Sequence, residues 1–121
     1  MAQYMLLLGG ADLDKRSGNP ALAPKLFQQF ATWLSSLREA GHLVGSHKLH
    51  DQTGVRLTVR SGQVVEGPFM ETKEAVGGAI VIEASSLEQA TALARECPVL
   101  GLQNGHVEVR LVEPVRHPGN A

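Results

Sequence analysis

The strongest constraint on the fold of this chain is a long amphipathic segment between Pro20 and Gly41. Its apolar residues recur every three or four positions and make one wide stripe, formed by Leu22, Leu26, Phe27, Phe30, Trp33, Leu34 and Leu37. This spacing is typical of an α-helix that buries one face. Asn19 is suited to cap the first turn, and Gly41 can adopt the left-handed conformation that ends a helix. The segment therefore predicts a helix packed against a second layer.

Extended segments precede and follow this helix. Short apolar or alternating runs predict strands at residues 3–8, 42–49, 55–60, 63–65, 79–84 and 106–112. The Ser61-Gly62 pair predicts a tight turn that joins two of these runs in a hairpin, and Gly45 predicts a bend or bulge inside another. A second helix is predicted after Ser85 or Ser86, since either residue fits a capping box, and Pro98 ends it.

The order of these elements is strand, helix, strand, hairpin, strand, helix, strand. This order predicts an α+β fold of the ferredoxin-like βαββαβ type with an extra hairpin strand. Two helices then cover one face of an antiparallel sheet, and the other face has to tolerate water or meet another subunit. The apolar residues expected on that second face are Leu7, Ile80, Ile82 and Val112. We therefore expect a homodimer with facing sheets.

The length and charge of the chain narrow the classes of partner. The 121 residues predict one domain over residues 1–113, followed by a loose tail over residues 114–121. Eleven basic residues against 12 acidic ones give a net charge of -1, which provides no electrostatic reason to expect a nucleic-acid or membrane partner. The first apolar run is too short to span a bilayer and has no basic flank. With Cys97 as the single cysteine, we expect a cytoplasmic protein.

The most informative segment chemically runs from Glu66 to Glu74. Gly67 permits a positive φ and Pro68 fixes its own φ, so the pair predicts a turn that directs Phe69 toward an apolar cleft. The charged residues of the segment are Glu66, Glu71, Lys73 and Glu74. Two interpretations remain open. The turn is purely structural and its charges pair across a solvated loop, or the segment faces a ligand.

A cleft enzyme is the first functional hypothesis. Its acid or base candidates are Glu66, Glu71 and His47, because carboxylates and imidazole are the usual proton-transfer groups. Lys73 and Arg110 would hold an anion, and Phe69 would contact an apolar part of the substrate. Arg110 has a second interpretation, because it shares one strand face with Glu108 and could form an ion pair at a dimer interface.

Metal binding is a weaker hypothesis for the histidines. His42, His47, His50 and Asp51 lie within ten residues of one another, and His106 could approach them. Strand alternation places His47 on the opposite face from His42 and His50 unless Gly45 introduces a bulge. The spacing matches no standard zinc pattern, so we expect neither a metal nor another cofactor. We expect Cys97, after the second helix, to be a buried structural thiol.

The segment Glu66-Gly-Pro-Phe-Met-Glu-Thr-Lys-Glu74 resembles the motif of the DGPF branch of the YCII-related family. Four further features agree with the resemblance: the opening Tyr4-Met-Leu-Leu run, the Ala40-Gly-His-Leu-Val-Gly45 step, the Gly77-Gly78 pair and the closing Val107-Glu-Val-Arg110 run. Together they extend over residues 3–113. The motif usually begins with Asp, whereas this chain has Glu66, so the carboxylate is retained one methylene further out.

The resemblance implies a ferredoxin-like subunit in a dimeric α/β barrel with a cleft near the motif. Some YCII-related proteins have been proposed as enzymes that use a cleft His and Asp, and one is associated with dehydrochlorination of aromatic compounds. These properties imply metal-independent proton transfer, isomerisation or elimination on a small organic substrate. DGPF-type domains also occur near or fused to extracytoplasmic-function sigma factors. The alternative is therefore a ligand-sensing or protein-binding module linked to sigma-factor-dependent transcription.

Overall fold

The computed structural model describes residues 1–10, 22–49, 54–67 and 76–115. In chain order, the elements are strand β1 (Ala2–Gly9), helix α1 (Leu22–Glu39), strands β2 (Leu43–Lys48), β3 (Leu57–Arg60), β4 (Gln63–Glu66) and β5 (Val76–Ala84), helix α2 (Leu87–Ala94), a short 3₁₀ helix (Pro98–Gly101) and strand β6 (His106–Leu111). Within these ranges, neither α-helix combines the length and the hydropathy that crossing a bilayer requires.

Four strands form the main sheet in the order β2-β5-β1-β6, and every neighbouring pair is antiparallel. This is the strand order of the ferredoxin-like fold, so the predicted fold class is confirmed. β3 and β4 form a separate two-stranded sheet. The hairpin therefore adds no fifth strand to the main sheet.

The core lies between the helices and one face of the main sheet. Its buried sheet residues alternate along the two central strands: Tyr4, Leu6 and Leu8 in β1, and Ile80, Ile82 and Ala84 in β5. The register pairs Leu6 with Ile80 and Tyr4 with Ile82, and paired residues of antiparallel strands point to the same face. Trp33 of α1 belongs to the same cluster, as does Ala90 of α2.

The uncovered face carries the residues that alternate with the core. Ile80 and Ile82 are 4% and 0% exposed under the helices, so the expectation that they lie on the uncovered face is wrong. Their place follows from the period of two, which sends each of them to the face opposite its immediate neighbours. Leu7 does lie on the uncovered face, as expected, and it pairs there with Ala79. Val112 follows β6 and donates its N–H to the carbonyl of Gln3 over 2.9 Å.

Helix α1 ends where its sequence predicts, but the stripe that it buries is narrower than the apolar stripe of the sequence. Gly41 has a φ of +80°, and the next N–H, that of His42, donates to the Leu37 carbonyl over 2.9 Å. Trp33 and Leu37 are buried, whereas Phe27 is 77% exposed. Phe27 lies about 100° around the helix from Leu26, at the margin of the stripe. The predicted capping residues Asn19 and Pro20 lie outside the described residues.

Helix α2 begins with the second of the two predicted caps. The Ser86 hydroxyl accepts the N–H of Gln89 over 3.1 Å, and the Gln89 side chain accepts the N–H of Ser85 over 2.6 Å. These bonds satisfy donors that the first helical turn leaves unpaired. After the helix, Pro98 opens the 3₁₀ turn.

Strand β5 is longer than its sequence predicts. It includes Gly77 and Gly78, which the pattern places just before the strand. Gly78 pairs with Leu8 on one side and Lys48 on the other. A Cβ at Gly78 would lie 3.2 Å from the carbonyl oxygen of His47, so the close approach of the neighbouring backbone favours glycine there.

Two glycines of the segment before β6 differ sharply in the space around them. A Cβ at Gly105 would collide with the carbonyl oxygen of Val99 and approach that of Leu102 to 3.2 Å. Both oxygens belong to the backbone and have little freedom to shift. A Cβ at Gly101 would meet nothing within 4 Å.

We predict that Gly105→Ala lowers the free energy of unfolding by about 2 kcal/mol, as overpacking against fixed backbone does. The matched Gly101→Ala variant should stay within about 0.5 kcal/mol of the parent, because its methyl group enters open space. Urea denaturation followed by circular dichroism measures both values. Equal losses in the two variants would contradict the packing seen around Gly105.

Candidate functional site

A bulge in β2 determines which side chains face the uncovered side of the sheet. Leu43 pairs with Ile82 and Gly45 pairs with Val81, so Val44 is an extra residue in the ladder. Without it, Leu43 and His47 would share a face, since they are four residues apart. The bulge predicted at Gly45 is therefore confirmed, and it turns His47 toward the uncovered face while Leu43 packs toward the helices.

Two rows of side chains cross the uncovered face from β2 to β6. The strand pairings define one row as His47, Ala79, Leu7 and Glu108. They define the next row as Gly45, Val81, Met5 and Arg110. The central residues of both rows are apolar and half-buried, whereas the residues on β6 are charged. The face is thus an apolar floor with an imidazole at one rim and an ion pair at the other, roughly 14 Å away across three strand spacings.

The smallest residues of this floor lie beside His47. Its cross-strand neighbour is Ala79, and Gly45 lies two residues before it in β2. A Cβ placed on Gly45 would be 3.6 Å from Nε2 of His47, so the ring extends toward the glycine. His47 itself is exposed. The floor therefore has most room next to its titratable side chain.

Glu108 and Arg110 form an ion pair within the chain. The Nη1 of Arg110 donates to Oε2 of Glu108 over 2.9 Å, and the two side chains are 67% and 58% exposed. The guanidinium carries five N–H donors, of which this bond uses one. Because exposure keeps the group accessible, it can still receive an anion or meet another subunit. An exposed pair of this kind contributes little to stability by itself.

The start of the nine-residue motif is anchored to the hairpin. Glu66 is the exposed last residue of β4, so it belongs to a strand and not to a loop. Gly67 is buried and has a φ of +95°, which confirms the turn conformation predicted for it. The N–H of Gly67 donates to the Arg56 carbonyl over 2.7 Å, and the Thr58 hydroxyl donates to the Gly67 carbonyl over 2.6 Å.

The structure brings only some of the predicted site residues together. His47 and Arg110 share the uncovered face of the main sheet, and Glu66 lies on the separate hairpin. The candidates Phe69, Glu71 and Lys73 lie outside the described residues, as do Pro68 and Glu74.

The histidines of the described chain do not converge. Nδ1 of His42 lies 2.8 Å from the Glu83 carbonyl, to which it donates as the N–H tautomer, and this bond holds its ring at the β2 edge. His106 pairs with Gly9 at the far edge of the sheet. Residues 1–10, 22–49, 54–67 and 76–115 contain no group of three His, Cys, Asp or Glu side chains that could hold a metal ion. His50 and Asp51 lie outside those ranges.

A groove on the helical side was not predicted from the sequence. It has a volume of about 910 Å³ and lies between α1, the end of α2 and the 3₁₀ helix. Trp33 and Leu93 contribute to its lining, and the indole N–H of Trp33 donates to the Leu93 carbonyl over 3.2 Å. The sequence feature that could have indicated the groove is the row of polar residues along one side of α1, namely Gln28, Thr32 and Ser36. Such a row is also typical of an ordinary solvated helix face.

Cys97 is a buried thiol, as its position predicts. It is 3% exposed, and burial raises its pKa from the usual 9.0 to about 11, against a smaller lowering by a hydrogen bond from the backbone of Val99. The thiolate is the nucleophilic form of cysteine, so this environment disfavours reactivity.

The comparison with known families agrees with the architecture. The family model described as the YCII-related domain matches residues 14–116, which is most of the chain. Among curated proteins, none matches this sequence. The finer assignment to the DGPF branch stays a prediction.

We predict that iodoacetamide alkylates Cys97 at least about 100-fold more slowly in the native protein than in urea at pH 8, because a pKa two units higher reduces the thiolate fraction by that factor. The folded thiol binds its proton more tightly than the unfolded one. Tighter proton binding in the folded state adds to the free energy of unfolding. This addition is complete below pH 9 and is lost as the pH rises to about 11. Mass spectrometry of labelled samples gives the rates. Equal rates in buffer and urea would show that the thiol is accessible in the native state.

Proposed function

This chain belongs to the YCII-related domain family, and from that premise we propose that the uncovered face of its sheet binds a small organic molecule and transfers a proton at His47. The observation that supports this most directly is the β2 bulge, which turns His47 onto an apolar floor. Bulges often re-aim a side chain next to an active site. Imidazole is the commonest general acid or base, and the proposed chemistry requires no metal.

The shape and charge of the face favour a small planar acid as ligand. Gly45 and Ala79 have the smallest side chains on the floor and lie beside His47, so a flat ring fits there with the least crowding. Arg110 lies at the opposite rim in the neighbouring row, where its guanidinium can bind a carboxylate through two parallel hydrogen bonds. The reactions that suit this arrangement are proton transfer, isomerisation and elimination next to an acidic group.

The proposal also assigns roles to residues of the Glu66–Glu74 motif, on the basis of their side-chain chemistry. Glu66 and Glu71 are the further acid or base candidates, Lys73 would stabilise developing negative charge, and Phe69 would contact the apolar part of the substrate. Two hydrogen bonds hold the backbone of Gly67, so the motif starts from a rigid position. A rigid start supports a role of the motif in binding, because binding groups need a fixed backbone.

A cover is also part of the proposal, because a half-buried floor leaves a ligand in contact with water. We propose that a second copy of the chain closes the site with its own uncovered face, as the exposed apolar rows favour. The free thiol of Cys97 supports placement in the reducing cytoplasm.

Binding is tested with a panel of aromatic carboxylic acids by ligand-observed NMR. The Ala79→Leu variant should weaken the best ligand at least tenfold, because the larger side chain fills the space beside His47. Ser46→Ala serves as the matched control, since Ser46 pairs with Ile80 and points to the opposite face. Equal weakening by both variants, or no effect of Ala79→Leu, would place the ligand elsewhere.

Catalysis is tested with any ligand that binds, by following its conversion with chromatography. The His47→Gln variant should reduce kcat about 100-fold or more while KM changes little, because a positioned general base typically contributes that factor. Arg110→Met should instead raise KM. Specific binding by the parent protein with no conversion would favour the ligand-sensing module linked to sigma-factor-dependent transcription.

A further inference from the structure

The β3–β4 hairpin presents an apolar face to solvent. Val59 pairs with Val64, and Leu57 lies on the same face two residues before Val59. Their exposed fractions are 70%, 68% and 63%, and the preceding Val55 is 64% exposed. The opposite face of the hairpin carries polar side chains, namely Arg56, Thr58, Arg60 and Gln63, together with the half-buried Val65. The hairpin is therefore amphipathic, and its apolar side is exposed.

The backbone of this hairpin is built as a defined element. Ser61 and Gly62 have φ values of +51° and +77°, the signature of a type I′ turn whose twist matches that of the strands. At the base of the hairpin, the N–H of Gly67 donates to the Arg56 carbonyl, and the Thr58 hydroxyl donates to the Gly67 carbonyl. An isolated two-stranded hairpin is only marginally stable in water. No other part of the described chain covers its apolar residues, so a surface outside that part would stabilise the hairpin by covering them.

We propose that the hairpin is an arm that docks, through Leu57, Val59 and Val64, on a second copy of this chain, and that each copy receives the arm of the other. The inference rests on the proposed function in one respect, namely that a second copy covers the uncovered sheet face. It adds the segment that holds the two copies together.

A second apolar surface that the described residues leave uncovered lies on the main sheet. Met5 and Leu7 of β1 and Ala79 and Val81 of β5 form the centre of the uncovered face. A two-fold axis relates identical surfaces in pairs, so one dimer can cover both faces and both arms. A different protein bound to the arm alone would leave the sheet face in water. The presence of two such surfaces on one chain therefore favours a second copy as the partner.

The area available also favours arms in addition to facing sheets. Four strands spaced about 4.8 Å apart and paired over about five residues give a flat footprint of roughly 300 Å² per subunit. A standard interface buries about 800 Å² per partner. The arm of each subunit adds roughly 130 Å² to that subunit's contact area. The surface that the partner's arm contacts adds a similar area. The arms thus nearly double a contact that would otherwise be less than half the usual size.

The double variant Val59→Ser/Val64→Ser tests the arm. Both side chains are about 70% exposed in the subunit, so its fold should be preserved, which urea denaturation checks. Sedimentation equilibrium of the parent should give twice the 12.9 kDa chain mass, and the double variant should raise the dimer dissociation constant at least tenfold. Val115→Ser is the matched control, because Val115 is 75% exposed and lies outside the hairpin. It should leave the dissociation constant unchanged.

Hydrogen exchange of the parent protein gives a test that needs no substitution. Amides of residues 57–66 should exchange more slowly at concentrations where the dimer dominates than at concentrations where it dissociates. A parent that remains a monomer, a double variant that associates like the parent, or exchange that does not depend on concentration would each overturn the proposal. A parent dimer that binds none of the aromatic acids would count against the proposed function alone. A monomer that binds them would overturn the arm and the proposed cover, and it would leave the binding site on the sheet face standing.

Discussion

β1 and β5 lie side by side at the centre of the sheet, and their register places Leu6 beside Ile80 and Tyr4 beside Ile82. All four side chains are buried against the helices. Because side chains alternate along a strand, a shift by one residue would move the whole apolar set to the other face. Burial of this set therefore specifies the register, and the register in turn decides which residues remain for the uncovered face.

The uncovered face is the complement of that core. Once Leu6 is directed toward the helices, Leu7 and Ala79 have to point away from them. The outer strands β2 and β6 then add their own residues to the same rows. His47 and Arg110 thus reach one surface through backbone pairing, although 63 positions separate them in the chain. No direct contact between the two side chains is needed to bring them together.

Much of the fold could be predicted from local pattern. The helix stop at Gly41, the cap at Ser86 and the hairpin turn at Ser61-Gly62 each depend on a few neighbouring residues, and each has the predicted form. The errors have a common cause. Ile80 and Ile82 were expected on the wrong face because a run of apolar residues shows no alternation from which its inner side can be identified. Phe27 likewise matches the helical period, yet it is exposed, because the period does not show how wide a stripe of the helix the tertiary packing covers.

The sequence by itself determined the order and type of the elements, the YCII-related family and the chemical character of the candidate residues, because these depend on short-range pattern and residue type. The sequence also showed that a bulge at Gly45 would reverse the direction of His47. It did not show whether the strand is regular or bulged there. Tertiary pairing decided that, since the extra residue at Val44 lets Leu43 join the core while His47 faces outward. Tertiary structure also left the apolar face of the hairpin exposed. The physical reason is the same in both cases: the direction of a side chain on a strand has meaning only relative to the neighbouring strand and the layer that covers it.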